Sequence, residues 1–340
     1  MDTNQKQKGQ FWLGMLVSLV CLAAIFLFIE PTEIVAALET AHWGYLGLTA
    51  VGILLYLFFR AVRWRFMLEN DVALGQAFHI QNIGYMLNML LPFRLGDIAQ
   101  AILIGNVPPV TVARGLSTVV MPRILDLMFM VLLLPLTLAA TPAIPPNIQS
   151  AALVTGLGTF VAIVVMVVAA NQRPFVRRMA AAVFQRIGRL DVDAWVTRVD
   201  DLLAGLSSLT NLKDGLTLTV MTLFVWLPII FAYWIGLRAV QLDLTWAMSA
   251  FVVCAAALSV AAPSSPGQVG VFHAGVIFAL TSILAQPAAP AASFAFLYHA
   301  VNLVTMIIVG VIGLFATGAT FRNVLDATRQ FANRKSASHS

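Results

Sequence analysis

Long apolar runs separated by short polar segments dominate this chain and predict helices that cross a membrane. A transmembrane helix needs about 20 apolar residues to cross about 30 Å of hydrocarbon. Seven runs meet this need, namely Phe11–Ile29, Trp43–Phe59, Gly115–Leu138, Ala151–Ala170, Gly215–Leu237, Thr245–Ala262 and Ala291–Thr317. The first run is longer than the h-region of a signal peptide, which has about 7–15 residues, so we expect a retained span.

Two further apolar segments are interrupted and predict broken or re-entrant helices. The segment 78–104 breaks at the sequence Leu91-Pro92-Phe93-Arg94-Leu95-Gly96-Asp97, and the segment 261–284 begins with Ala262-Pro263-Ser264-Ser265-Pro266-Gly267. Irregular backbone at membrane depth persists only where protein or a water-filled cavity satisfies its polar groups. We therefore predict an all-α polytopic membrane bundle with about seven or eight transmembrane helices and two broken elements. The segment 78–104 is either re-entrant or a pair of true spans.

The order of these elements predicts a single integral membrane domain, 1–340, made of two halves. Each interruption follows two spans, which indicates a weak internal duplication of 1–170 and 215–318. Apolar residues recur every three or four positions among the arginines of 171–214. This cytoplasmic segment is therefore either one or two amphipathic helices resting on anionic headgroups or a solvated linker that orients the two halves. A basic tail, 319–340, follows the last span, and we expect no soluble catalytic domain after it.

The composition excludes a soluble globule, a disordered chain and a disulfide scaffold. Hydrophobic residues make up 60% of the chain and charged residues 10%, whereas soluble domains carry about 25% charged residues. The mean hydropathy is +0.89. Cys21 and Cys254 both lie in apolar runs, which favours small packing side chains over a disulfide or metal site. We expect no metal and no cofactor.

The net charge of +5 does not indicate a nucleic-acid partner, because the basic residues cluster at the ends of apolar runs. Such clustering orients membrane proteins, since cytoplasmic loops carry the excess of Lys and Arg. The clusters comprise Lys6 and Lys8, then Arg60, Arg63 and Arg65, then six arginines from Arg173 to Arg198, and last Arg322, Arg329, Arg334 and Lys335. The loops on the other side of the membrane, 30–42, 139–150, 238–244 and 285–290, contain a single Lys or Arg residue, which is Arg238. We therefore expect a multi-pass protein of the cytoplasmic membrane with both termini in the cytoplasm.

Ionisable residues inside predicted spans are the first candidates for a site. A charge at the centre of a membrane helix costs about 2.5–3.5 kcal/mol on insertion scales, so it is usually paired or functional. Arg123 and Asp126 are three residues apart, and this spacing predicts that they neutralise each other on one helix face. They form either an architectural ion pair or part of a site. In the last span, Tyr298, Asn302 and Thr305 share a face with His299 beside it, as a packing residue or a ligand.

The two interruptions carry the remaining candidates. Gln81, Gly84, Tyr85 and Asn88 form one polar helix face ahead of Pro92, and Arg94 and Asp97 follow the break. At the second break, Ser264 or Ser265 is predicted to cap a helix that begins at Pro266. Gly267, Gly270 and Ala274 form a stripe of small residues that permits close approach of a helix or of a ligand, and His273 lies on the same turn. Helix N-termini in broken membrane helices bind anionic groups.

The motif Asn88-x-x-x-Pro92-x-Arg94-x-Gly96-Asp97 resembles the signature of the lysylphosphatidylglycerol synthase transmembrane region family, which consists of flippase-like integral membrane proteins. The resemblance continues in Arg60-x-x-Arg63-Trp64-x-x-Met67-Leu68, in Arg123 with Asp126, and in Pro263-Ser264-Ser265-Pro266-Gly267-x-x-Gly270. It covers nearly the whole chain and is that of a stand-alone member without the soluble synthase domain. It implies handling or translocation of a lipid with an anionic or aminoacylated headgroup, since aminoacyl transfer belongs to that soluble domain.

The chain departs from the family pattern at several of these positions. Asp97 stands where the family has glutamate, while His273 and His299 stand where it has an acidic residue and an arginine. Met121 and Pro122 replace an acidic neighbour of the third-span arginine. These departures predict a pair of histidines in place of an ion pair, and they leave the identity of the lipid open.

We expect a lipid flippase or scramblase-like transporter that is not itself an enzyme. Its expected partners are membrane lipids with anionic headgroups. The predicted substrate site consists of Asn88, Arg94, Asp97, Arg123, Asp126, Ser265, Gly267, His273, His299 and Asn302. The alternative is a non-catalytic partner that anchors an enzyme of glycolipid or envelope-lipid synthesis. An intramembrane enzyme is the third hypothesis, with no nucleophile beside a base to favour it. The direction, the energy source and the oligomeric state stay open.

Overall fold

The computed structural model describes residues 3–91, 94–141, 144–172, 178–179, 181–182, 212–260 and 265–328. Most of the predicted linker 171–214 and the end of the basic tail lie outside the described residues. So do Pro92 and Phe93 at the first break and residues 261–264 at the second. All regular secondary structure in the described ranges is helical.

Twelve helices can be numbered along the described chain. The first half contains α1 (Thr3–Phe28), α2 (Pro31–Glu39), α3 (Trp43–Met67), α4 (Leu74–Leu90), α5 (Leu95–Gly105), α6 (Val112–Ala139) and α7 (Pro146–Asn171). The second half contains α8 (Leu212–Ala239), α9 (Trp246–Ser259), α10 (Val271–Phe278), α11 (Ala288–Thr317) and α12 (321–328). A 3-10 turn, Pro266–Gln268, precedes α10, and a π-helical turn, Ala279–Ile283, extends it.

Within the described residues, five helical segments are long and apolar enough to cross a membrane. They are Trp43–Met67, Arg114–Ala139, Lys213–Ala239, Pro266–Ile283 and Ala288–Thr317. The remaining predicted runs form α1, α7 and α9. The prediction of an all-helical, multi-pass membrane protein is thereby confirmed.

Each predicted interruption separates two short helices that pack side by side. The helices α4 and α5 have 17 and 11 residues, so they are about 25 Å and 17 Å long, less than the hydrocarbon thickness of about 30 Å. Gly84 on α4 faces Gly96 on α5, and a Cβ at Gly84 would lie 2.9 Å from the Gly96 carbonyl oxygen. At the second interruption, Gly275 on α10 packs against the Ser259 side chain of α9. Both interruptions therefore form helical hairpins.

The contact between Gly84 and Gly96 leaves no room for a methyl group, because a Cβ at Gly96 would overlap the Gly84 carbonyl oxygen. We expect Gly96→Ala to destabilise the protein by about 1–3 kcal/mol, the usual cost of overpacking. Gly158→Ala on α7 is the matched control, since a Cβ there meets nothing within 4 Å and alanine favours the helix by up to about 1 kcal/mol. Thermal unfolding in detergent, followed by circular dichroism, measures both. Equal midpoints for the two variants would contradict the tight contact.

The tip of the second hairpin contacts α1 and α4. The Ser265 N–H donates to Ser18 Oγ at 2.9 Å, and Gly270 lies directly against the Ser18 carbonyl oxygen. A Cβ at Gly267 would lie 3.5 Å from the Met89 carbonyl oxygen, at the end of α4. At Gly270, therefore, the small residue permits the close approach of another helix, which was one of the two alternatives for the small-residue stripe.

The cap predicted at the second break is found only in part: Ser265 stands at the N-cap and Pro266 is the first helical residue, but the Ser265 side chain makes no capping hydrogen bond, and Ser264 lies outside the described residues. Pro266 begins a single 3-10 turn, and Ser265 Oγ donates to the Val269 carbonyl at 3.4 Å instead of accepting from an amide. Gly267 and Gly270 have φ values of 72° and 86°, which glycine adopts readily and other residues rarely do. The turn therefore cannot continue as a helix, and α10 begins only after Gly270.

Candidate functional site

A cavity of about 380 Å³ lies where the tips of the two hairpins meet α3, α6, α8, α9 and α11. Its charged wall residues are Arg60, Arg94, Arg123 and Asp126. Its neutral polar wall residues include Tyr56, Gln268, His299 and Asn302. The volume falls within the range of about 300–1,000 Å³ that is typical of small-molecule sites.

The two hairpin tips each supply one polar side chain to this cavity. Arg94 follows the first break and Gln268 ends the 3-10 turn at the second, with φ values of 52° and 60°. A non-glycine residue in this left-handed region costs on the order of 1–3 kcal/mol and persists where the surrounding structure holds it. At the hairpin tips, the two residues with this strained backbone conformation are the two whose side chains the tips place in the cavity.

Arg123 on α6 pairs with Asp97 on α5. Its Nη2 donates to the two carboxylate oxygens at 2.6 and 2.8 Å, and Asn88 Nδ2 donates to Asp97 Oδ1 at 2.8 Å. Asp97 therefore binds Arg123 and Asn88 outside the cavity wall. In the described part of the chain, Nη1 and Nε of Arg123 have no hydrogen-bond partner, so these donors are free for a ligand.

Asp126 on α6 pairs with two arginines of α3. Arg63 Nη1 donates to Asp126 Oδ1 at 2.7 Å and Arg60 Nη2 donates to Asp126 Oδ2 at 3.3 Å. The Arg63 side chain is only 1% exposed. Arg60 also lies over the rings of Tyr56 and Tyr85, 5.2 and 4.7 Å from their centroids. Both Asp126 oxygens are thus engaged, and the carboxylate neutralises a buried cation.

The predicted ion pair between Arg123 and Asp126 is wrong. Their spacing places them near each other on α6, but α5 and α3 each supply a partner of opposite charge. Arg123 pairs with Asp97, and Asp126 pairs across helices with Arg63, whose buried charge needs a carboxylate. Intrahelical spacing shows only which charges can meet within one helix.

Arg60 and Arg63 are site residues that the sequence analysis placed among the charges flanking a span. The helix α3 continues to Met67, so both residues lie within it, and their side chains are 13% and 1% exposed. The signal was present in the sequence, because Tyr56, Arg60 and Arg63 recur at i, i+4 and i+7 and therefore share one helix face.

The structure brings together part of the predicted site and assigns the rest to its surroundings. Arg94, Arg123, Asp126, His299 and Asn302 line the cavity, as does Tyr298. Asn88 and Asp97 hold Arg123, while Ser265 and Gly267 shape the second tip. His273 lies outside the wall, with its ring centroid 4.8 Å from that of His299, so the two histidines are in contact as predicted. Thr305 is buried and does not line the cavity.

The cavity wall has an excess of positive charge. It contains three arginines and one aspartate, which leaves two positive charges uncompensated. Including the supporting residues Arg63 and Asp97 does not change this excess. Among the described residues, Arg94 has neither a hydrogen-bond partner nor an ion pair. The rest of the wall is largely apolar, with Leu127, Met130, Ile229 and Val253 among its members. Uncompensated charge beside apolar surface favours an anionic ligand with an apolar part.

This fold and this cavity define a polytopic membrane protein with a cationic interior site between two broken helices. The chain belongs to the family described as the lysylphosphatidylglycerol synthase TM region, whose profile matches residues 11–310. It is also similar to glycosyltransferase AglD of Haloferax volcanii, with 23% identity over 362 residues that cover 95% of this chain and 57% of AglD. The chain thus spans little more than half of that relative. No solved structure matches the chain.

Proposed function

We propose that this protein binds the phosphate group of a membrane lipid in the cavity and moves the headgroup between the two leaflets. The observation that carries the proposal is the positive excess of the cavity, with Arg94 free at the hairpin tip and Arg123 beside Asp97. Guanidinium groups bind phosphate through charge-assisted and frequently bidentate hydrogen bonds. The N-terminus of α5, which begins directly after Arg94, adds positive potential at the same place.

The apolar part of the wall supports a lipid as the ligand. Leu127 lines the cavity, and more than half of its side chain is exposed. We propose that the cavity opens toward the acyl chains of the bilayer at this apolar side chain. A lipid could keep its tails in the bilayer there while its headgroup occupies the cavity, which a soluble anion would not require.

We further propose that both hairpins are re-entrant, with their tips inside the membrane and both termini of the chain in the cytoplasm. The short lengths of α4, α5 and α9 support the first point, since each is below the length of about 20 residues that a span requires. The other arm of the second hairpin, Pro266–Ile283, has 18 residues, but it is continuously helical only from Val271 onward, after the 3-10 turn. The distribution of basic residues supports the second. Attachment of an impermeant thiol reagent to single cysteines introduced near each end would test the orientation.

Reconstitution into phosphatidylcholine liposomes tests the proposed movement. Tail-labelled fluorescent phosphatidic acid is included in both leaflets, and dithionite is then added outside. Dithionite does not cross the bilayer, so we expect it to bleach only the outer-leaflet label of protein-free liposomes. When the protein is present, we expect the label of the inner leaflet to be bleached as well, because the protein moves these lipids to the outer leaflet. Identical bleaching with and without protein would contradict translocation.

The relative AglD favours a second candidate function, because it is named as a glycosyltransferase. On this alternative, the chain is a non-catalytic membrane partner of an enzyme of glycolipid synthesis. In that case, substitution of Arg94 or Arg123 leaves the protein functional. Deletion of 171–214 abolishes its association with the enzyme. In both proposals the chain leaves the covalent structure of the lipid unchanged. Mass spectrometry of lipids after incubation with the purified protein tests that shared expectation.

A further inference from the structure

The charges and polar groups of the cavity also point to the chemical class of the lipid headgroup. We propose, on the basis of the proposed function, that the cavity selects phosphate lipids whose headgroup beyond the phosphate is uncharged and bears hydroxyl groups. It rejects headgroups that carry an ammonium group. The class contains glycerol, polyol and sugar headgroups.

The first argument is that no free carboxylate is available to bind an ammonium group. Asp97 does not line the cavity, and Arg123 and Asn88 donate to it. Asp126 does line the cavity, but both of its oxygens accept from α3 arginines. No other acidic side chain contributes to the cavity wall among the described residues. An ammonium group would therefore meet Arg94 and Arg123 without a compensating partner, and like charges at close range are unfavourable.

The second argument is that the cavity wall contains uncharged polar side chains that can form hydrogen bonds with a ligand. His299 is 8% exposed, its Nε2 is buried, and that atom has no hydrogen-bond partner in the described structure. Asn302, one turn further along α11, and Gln268 at the second tip also line the cavity. A hydroxyl both donates and accepts, so it can satisfy His299 Nε2 in either tautomer and can bond to an amide at the same time.

Aromatic rings do not replace the missing negative charge. The faces of Tyr56 and Tyr85 already carry Arg60. Tyr298 packs against Tyr233 with ring centroids 4.1 Å apart and stacks with Phe272 at 6.1 Å. A cation at these rings would still lie in a cavity with two uncompensated positive charges. Neutral hydroxyl groups can lie beside these rings without electrostatic repulsion from the two uncompensated positive charges.

The liposome assay tests the selection with three tail-labelled lipids. Phosphatidylglycerol and phosphatidylserine both carry a single net negative charge, but only phosphatidylserine has an ammonium group. Phosphatidic acid, which has no headgroup beyond its phosphate, is the reference for each protein sample. We expect phosphatidylglycerol to move about tenfold faster than phosphatidylserine, because a site built for hydroxyl groups discriminates strongly. Equal rates, or faster movement of phosphatidylserine, would overturn the inference.

Two variants test whether the uncharged polar residues of the cavity wall cause the preference for hydroxyl-bearing headgroups. In His299→Phe and in Asn302→Leu, the ratio of phosphatidylglycerol to phosphatidylserine movement should fall toward one. Thr305→Val is the matched control on the same helix, since Thr305 lies off the cavity, and it should retain the wild-type ratio. An unchanged ratio in both cavity variants would overturn the assignment. Failure of the wild-type protein to move even phosphatidic acid would contradict the proposed function itself, whereas the other negative outcomes contradict only the selection.

Discussion

Arg94→Ala is expected to reduce the protein-dependent movement of phosphatidic acid by about tenfold to a hundredfold. A hydrogen bond to a charged group contributes about 1.5–3 kcal/mol, and each 1.4 kcal/mol is about a factor of ten. Arg94 has no ion pair with any described residue, so its removal breaks no pair within the protein. The loss should therefore be functional, with the thermal stability close to that of the wild type. The measurement is the dithionite assay at equal reconstituted protein.

Two further variants separate the charge of Arg94 from its backbone conformation, and a third serves as a control. Arg94→Gly removes the side chain and suits the positive φ of 52°, so it keeps the test valid if Arg94→Ala is poorly folded. Arg94→Lys retains a positive charge and should retain part of the movement. Arg238→Ala is the matched exterior control, because Arg238 pairs with Asp243 outside the cavity. Wild-type movement in both Arg94→Ala and Arg94→Gly would exclude Arg94 as the phosphate-binding residue and favour the partner alternative.

Asp126→Ala should destabilise the protein by about 3–5 kcal/mol, which is the usual consequence of removing one member of a buried ion pair. The variant would leave Arg63, 1% exposed, without its carboxylate and would also release Arg60. Cys254 is fully buried on α9, so its reaction with a fluorogenic thiol reagent reports unfolding during heating in detergent. Cys21→Ser serves as the background in which Cys254 is the remaining cysteine.

The cause of this destabilisation can be isolated with a double-mutant cycle. In an Arg63→Met background the buried cation is absent, so Asp126→Ala should cost much less than it does alone. Asp97→Ala is a useful comparison, since its partner Arg123 is 38% exposed and solvent reduces the value of such pairs to about 0–1 kcal/mol. Equal losses for Asp126→Ala in the two backgrounds would show that the pair with Arg63 is not the reason.

The general architecture and five wall residues of the cavity could be predicted from the sequence. Apolar run length and the cost of a charge in hydrocarbon are properties of a single segment, so they predicted the helices, both interruptions and the importance of Arg94, Arg123 and Asp126. His299 and Asn302 were found in the same way, as polar residues on one face of an apolar helix. The extension of α3 beyond Phe59 was missed, because its arginines were interpreted as flanking charges instead of interior ones.

The pairing of the charges depended on contacts between helices that are distant in sequence. Arg63 and Asp126 are separated by 63 positions, and Ser18 and Ser265 by 247. No local pattern indicates which helix α6 meets on each side or that Gly270 packs against α1.

Residue patterns along the chain are enough to define a helical membrane protein with two broken elements and a few costly polar side chains. Contacts between helices add that both breaks supply residues to one cavity and that Asp97 and Asp126 are already bound to arginines. The difference arises because hydrophobic length acts within one segment, whereas the free energy of a buried charge depends on groups supplied by its neighbours. That local charge balance leaves the cavity positive and leads to the proposed phosphate lipid.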